Sequence, residues 1–213
     1  MDVVLIGNGG CMREIAWQML ELSSDYNIVG YTDVEPPEET IFVSGHKISY
    51  LGDDSYFDTL SYTTNVVISI GETLLRKKIF EKLKNNPFIR FPNIYLGTTK
   101  ICSDIEIGEG CIFCDGTKIS TNVNIGDFVF CNIDSLVCHD NKIGDFVTLA
   151  PRCQLAGNVL VDECSYIGIG ATVIQGIRIG KNVVVGAGST VIRNVSDGST
   201  AVGVPTRIVK GQR

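Results

Sequence analysis

The sequence has only two histidines, His46 and His139, and a single tryptophan among 213 residues. It has no run of 18 apolar residues, so no segment reads as a membrane-spanning helix. No basic run exceeds Arg76-Lys77-Lys78, and the formal net charge is −6. Charge-driven binding to nucleic acid or to an anionic membrane is therefore not expected. A small anionic ligand needs only a local cluster of donors and stays open. Zinc is short of ligands. Cys111-Ile112-Phe113-Cys114 is a lone C-x-x-C without a second pair or a matching histidine pair, so no metal is expected. Met1-Asp2-Val3-Val4-Leu5-Ile6-Gly7 carries an acid at its second position and does not read as a secretory signal. The eight cysteines are then expected as free thiols in a reducing, cytoplasmic setting, mostly as small apolar fillers.

Glycine, by contrast, is plentiful and unevenly placed, with 8 in residues 1–100 and 15 in residues 101–213. The second half also repeats. From Ile101 to Val191 every sixth residue is apolar, through Ile107, Phe113, Ile119, Ile125, Cys131, Val137, Ile143, Leu149, Leu155, Val161, Ile167, Val173, Ile179 and Val185, which makes 16 successive hits without an insertion. At this apolar content, chance gives such a run on the order of once in half a million tries per frame. Ile107-Gly108-Glu109, Ile125-Gly126-Asp127, Ile143-Gly144-Asp145 and Ile179-Gly180-Lys181 add a period of 18. Three hexads then make one triangular coil, with every sixth side chain inside a narrow prism and small residues at the corners. This is the hexapeptide signature of a left-handed parallel β-helix, in which residues 18 apart lie on adjacent coils about 4.8 Å apart.

The first hundred residues read differently. Asp2–Ile6 has a buried-strand pattern, Gly7-Asn8-Gly9-Gly10 follows, and Cys11–Leu22 has helical spacing. Asn27–Thr32 and Asn65–Ile70 read as further strands, ending at Asp33 and Gly71, with a helix to about Lys84. This order predicts a small α/β Rossmann-like unit. The glycine turn would offer free N–H groups to a phosphate, and Asp33 could accept from a ribose or base. The dinucleotide fingerprint wants a third glycine where Met12 stands, so a plain tight turn remains the alternative. The expected domains are 1–95 and 96–213, with residues 93–100 as the connection.

His46, in Ser44-Gly45-His46-Lys47, reads as an exposed loop residue. His139 lies two after anchor Val137 and should point outward. Histidine is the side chain suited to proton transfer near neutrality, and this is the only one in the repeats. Asp140 follows it and could orient the ring. Gly157, 18 residues on, occupies the same place on the next coil and offers a backbone N–H to an oxyanion. A base beside such an amide fits acyl transfer. A plain surface histidine is the alternative. One histidine excludes a three-histidine zinc site on this fold.

The segments Leu5-Ile6-Gly7-Asn8-Gly9-Gly10 with Arg13-Glu14, Tyr31-Thr32-Asp33, Ile70-Gly71 with Arg76, Asn132 through His139-Asp140 to Ile143-Gly144-Asp145, Ala150-Pro151, Leu155-Ala156-Gly157-Asn158-Val159 and Gly203-Val204-Pro205 carry a resemblance over nearly the whole chain. It resembles the bacterial nucleotide-sugar acyltransferases of the sialic acid O-acetyltransferase and bacillosamine-pathway N-acetyltransferase group. The resemblance implies a homotrimer that transfers the acetyl group of acetyl-CoA to the 4-amino group of a nucleotide-linked 4-amino-4,6-dideoxy sugar, carried on UDP or dTDP. It implies Gly7, Asn8, Gly9, Gly10, Asp33, Ile70, Gly71, Arg76 and Asn132 around the nucleotide sugar, His139 as general base with Asp140 as partner, and the Gly157 amide on the thioester oxygen. Acetyl-CoA would meet Thr148, Gly157, Gly170, Ala171, Ala187, Gly188, Val204 and Pro205, with Arg207 or Lys210 at its phosphates.

The sequence departs from the group at three places. Cys11 stands where many members have histidine, Thr148 where they often carry a second histidine, and Glu72-Thr73 where asparagines are common. The departures put the positioning of the thioester and the contacts to the nucleotide in question, not the role of His139. A hydroxyl acceptor, as in O-acetylation of sialic acid or another surface glycan, is the alternative chemistry. A scaffold without activity, or a nucleotidyltransferase with a β-helix tail, fits the sequence less well.

Overall fold

The computed structural model describes residues 1–209 and divides into two compact units. One comprises Met1–Gly71 with Leu75–Pro92, and the other Glu72–Leu74 with the chain from Asn93 onward. In the first unit, β1 (Asp2–Ile6) is followed by α1 (Gly10–Glu21), β2 (Asn27–Thr32), β3 (Ile41–Val43), β4 (His46–Ile48), β5 (Tyr50–Gly52), β6 (Thr64–Ile68), α2 (Thr73–Leu83) and β7 (Ile89–Arg90). The five-stranded sheet runs β5-β2-β1-β6-β7, and all its pairings are parallel. Val3, Val4, Leu5 and Ile6 on the central strand are all buried, as a parallel sheet covered on both faces requires.

Two local expectations need correction here. The strand expected to run to Ile70 stops at Ile68, with one last ladder bond from the Ser69 N–H to the Ile6 carbonyl at 3.1 Å. His46 is not in a loop. Ser44 and Gly45, at φ +50° and +76°, make a tight turn, and His46 opens the second strand of the antiparallel β3–β4 hairpin, where it is exposed.

The second unit is the left-handed β-helix. Its strands pair in register with those 18 residues on, as in Ile125↔Ile143 and Val137↔Leu155. Every anchor from Phe113 to Val191 is buried, and only Ile101 and Ile107, at the open end, are partly exposed. Each aliphatic anchor contributes roughly 1.5–3 kcal/mol by leaving water. The helix begins earlier than expected. Ile94–Tyr95, inside the segment read as a connection, already pairs with Ile112–Phe113, and Tyr95 stacks on Phe113. Near the other end the register shortens to 16, with Ile179 opposite Val195 and Val185 opposite Ala201.

The glycines of the Ile-Gly-acid repeats are not at corners. The left-handed corner positions recur every six residues and are filled largely by other residues, among them Asn122, Phe128, Asp134, Asp140, Phe146, Arg152 and Asn158, all near φ +55°. Gly108, Gly126 and Gly180 instead let a carboxylate from the next coil approach, and Gly144 lets the next coil's backbone approach. A Cβ on Gly126 would lie 2.2 Å from Asp145 Oδ1, and that oxygen accepts the Asp127 N–H at 2.9 Å.

Candidate active site

His139 follows the strand Leu136–Val137 and stands on the outside of the prism, its side chain 60% exposed. Asp140 is the corner residue, at φ +59°. That left-handed turn brings its Oδ2 to 2.7 Å from His139 Nδ1. A carboxylate there holds Nδ1 as the N–H donor and leaves Nε2 as the acceptor. Asn122, at the same corner one coil earlier, donates from Nδ2 to the other carboxylate oxygen.

The bond from His139, and after it the bond from Asn122, holds Asp140 below the usual carboxylate range. Sign follows from direction. The stabilisation is present above the unfolded carboxylate value and is lost as pH falls through the lowered folded value. Asp140 therefore stays ionised throughout the neutral range.

Gly157 lies beneath the imidazole. A Cβ on it would be 2.5 Å from His139 Cε1 and 2.7 Å from Nε2, so a side chain there would displace the ring. The Gly157 carbonyl accepts the Gly176 N–H at 3.1 Å, whereas its own N–H has no hydrogen-bond partner among the described residues. The structure thus brings together the His139 imidazole, the Asp140 carboxylate on its Nδ1 and the open Gly157 amide.

In the first unit, Gly7 adopts φ +109°, and a Cβ there would press on Ile70 at 3.1 Å. Gly9 caps α1 without a side-chain hydrogen bond, and nothing stands within 4 Å of a Cβ on it. The free N–H groups of that first turn are of the kind that suit an anion. Arg13 Nη1 donates to the Asn8 carbonyl at 2.9 Å and braces the turn. An open cleft of about 460 Å³ is lined by Asn8, Arg13 and the segment 37–42. Asp33 takes the Val34 N–H on Oδ1 at 2.7 Å. Arg76, which the sequence suggested as a ligand contact, is 1% exposed, and its Nη1 donates to the Ile70 carbonyl at 2.8 Å. Burial above all, with the Glu14 charge adding, pushes the Cys11 thiol up to about 12 against the opposing pull of Arg76 and the Gly71 backbone.

The remaining expected residues are scattered. Asn132 Oδ1 accepts the Ile133 N–H at 2.6 Å. Thr148 is buried in the row Phe130, Thr148, Tyr166. Gly170 and Gly188 are exposed corners at φ +65° and +64°, beside buried Ala171 and exposed Ala187. Val204 and Pro205 form an exposed turn and Arg207 starts the last strand, also exposed. Lys210 lies outside the described residues. Sequence reasoning missed Asn122 and Asn141. An asparagine at a corner reads as a turn former, although Asn141 falls in an inward row otherwise small or apolar.

Residues 2–83 match the PglD N-terminal domain family. GDP-perosamine N-acetyltransferase of Escherichia coli O157:H7 is 31% identical over 200 residues, covering 89% of this chain and 86% of that protein. The structure of PerB from Caulobacter crescentus, solved with CoA and GDP-perosamine, superposes with a TM-score of 0.88 at 29% identity, over 98% of this chain and 97% of that one. The acetyltransferase domain of PglB from Neisseria gonorrhoeae, solved with acetyl coenzyme A, shares the fold, with a TM-score of 0.86 at 23% identity over 98% of each chain. Fold and site together define an acyltransferase of the hexapeptide-repeat class. The similarity covers the glycine-turn unit as well as the β-helix. The chain belongs to the family of bacterial hexapeptide-repeat sugar acetyltransferases.

Proposed function

We propose that the protein transfers the acetyl group of acetyl-CoA to the amino group of a nucleotide-linked sugar, with His139 as general base. The observation that carries the mechanism is the His139 ring seated over Gly157 with Asp140 on its Nδ1. Nε2 takes a proton from the amino group as the nitrogen attacks the thioester carbonyl carbon. The Gly157 N–H donates to the oxygen as it gains charge, and Asp140 stabilises the imidazolium. Collapse breaks the carbon–sulfur bond, and the proton on Nε2 passes to the leaving sulfur. The products are an acetamido sugar and free CoA. Transfer is direct. The buried thiols of Cys131 and Cys153 are pushed far from thiolate by desolvation, and a thiol is a poor nucleophile in that form.

The Gly7-Asn8-Gly9-Gly10 turn holds the diphosphate at the start of α1, with Asp33 and Ile70-Gly71 at the nucleoside. Arg76 acts from behind, by fixing the Ile70 carbonyl. Because the relatives named above act on or hold GDP-perosamine, GDP is placed ahead of UDP and dTDP as the carrier. Gly170, Ala171, Ala187, Gly188, Val204, Pro205 and Arg207 are assigned to acetyl-CoA. The exposed apolar side chains Ile169, Ile192, Val204 and Ile208 on the late coils support a homotrimer, which a sedimentation-equilibrium mass three times that of the chain would establish and a monomer mass would refute. Among the described residues all eight cysteines are free, and no helix is long and apolar enough to cross a membrane. The free thiols support a reducing, cytoplasmic setting.

A panel of GDP-, UDP- and dTDP-linked amino sugars with acetyl-CoA, read by thiol release and product mass, tests the proposal. The expected result is an acetamide on a nucleotide-linked sugar, fastest with GDP. Acetylation of a free glycan hydroxyl, with no turnover of any nucleotide-linked amine, would overturn it.

A further inference from the structure

We infer that Asn141 is a positioning residue for this reaction, setting the spacing between the His139 imidazole and the Gly157 amide. The inference rests on the roles assigned above to those two groups. Asn141 is fully buried. It lies four residues after anchor Val137, in the inward row that holds Cys111, Thr117, Ser135, Cys153, Ser165 and Ala171 elsewhere in the β-helix. A primary amide is more polar than its counterparts in that row, and burying it is tolerable only if its hydrogen bonds are made.

They are made, and to particular places. Nδ2 donates to the Cys138 carbonyl at 2.7 Å and to the Ala156 carbonyl at 2.9 Å, while Oδ1 accepts the Val159 N–H at 2.7 Å. Cys138 immediately precedes the base, and Ala156 immediately precedes the amide donor. One nitrogen therefore ties together the two backbone segments that carry the chemistry, on adjacent coils.

Stitching two coils does not itself require an amide. Ser165 Oγ spans the same interval, donating to the Gly180 carbonyl at 2.6 Å and accepting the Val183 N–H at 3.0 Å. What Asn141 adds is the bond back to its own corner, at Cys138. A serine at 141 would keep the stitch between coils and lose that bond. Misplacing a catalytic group by about 1 Å costs on the order of a hundredfold in rate, so the loss should appear in turnover and not in the fold.

The test uses the full chain with N141S, N141C and the matched lesion S165A. Serine and cysteine occupy equivalent places in this row, so both are compatible with the fold. The expected result for N141S and N141C is a thermal midpoint close to that of the unaltered chain. KM for both substrates stays within about twofold, kcat falls about 10- to 100-fold, and the acid limb of the pH profile stays where it was because the base is still present. S165A should lower the midpoint and leave kcat unchanged. The inference is overturned if a folded N141S or N141C retains kcat within about twofold, or if S165A loses as much kcat as they do. An active H139Q in the same assay would instead refute the assignment of the base. An inactive H139Q beside a fully active N141S would refute only the role of Asn141.

Discussion

The His139 imidazole is largely exposed, bonded to one carboxylate and seated on a glycine, and the glycine is the most directly testable of these features. Gly157 does not need a left-handed backbone, so alanine is conformationally acceptable there. Its methyl would meet the ring at 2.5–2.7 Å, and the ring, at the end of a flexible side chain, would swing away. Gly157→Ala should therefore melt close to the unaltered chain while losing about 100-fold in kcat; unchanged turnover would show that the ring position is not what matters. Much at this scale was legible in the sequence. The 18-residue period places Gly157 one coil from His139, and the pair can be read without coordinates. The contacts of Asn122 and Asn141 were not legible, because they depend on side-chain directions that the hexad pattern does not set. The setting of Arg76 was not legible either: the resemblance puts it around the nucleotide sugar, and the structure shows it buried with Nη1 on the Ile70 carbonyl.

A single coil is held by its inward anchors and by carboxylates that reach back to the coil before. Asp127 accepts the Glu109 N–H at 2.9 Å, Asp145 the Asp127 N–H at 2.9 Å and Asp197 the Lys181 N–H at 3.0 Å. Each carboxylate passes over a glycine that must stay bare. Gly126→Ala would place a methyl 2.2 Å from Asp145 Oδ1 and 2.8 Å from its backbone nitrogen. The second of these cannot move without shifting the coil, so a loss of about 1–3 kcal/mol is expected in denaturant melts; a neutral substitution would mean that the carboxylate ladder is not structural. Hexad periodicity made the coils readable because the apolar anchors recur at every sixth residue without a break. The first coil escaped notice because its anchor position holds Tyr95, 43% exposed at the open end. The β3–β4 hairpin escaped because three-residue strands are too short to show alternation, although Ser44-Gly45 supplies its turn.

For the whole molecule, the uneven distribution of glycine separates two kinds of binding surface. In the first unit the early glycines bare the amides of one helix start, suited to a diphosphate. In the second they admit a carboxylate ladder, form some of the corners and, once, lie under the His139 ring. The β-helix followed from its hexad periodicity and the α/β unit from its order of strand, glycine turn and helix, whereas the choice of nucleotide did not follow from the sequence. The proposed mechanism depends on His139 being the base. The most direct test is the steady-state kcat of His139→Gln with acetyl-CoA and a nucleotide-linked amino sugar at neutral pH, beside an unfolding curve showing the variant intact. The account predicts a loss of about 100- to 10,000-fold in kcat, with KM for both substrates little changed. Turnover within about threefold of the unaltered chain would contradict it.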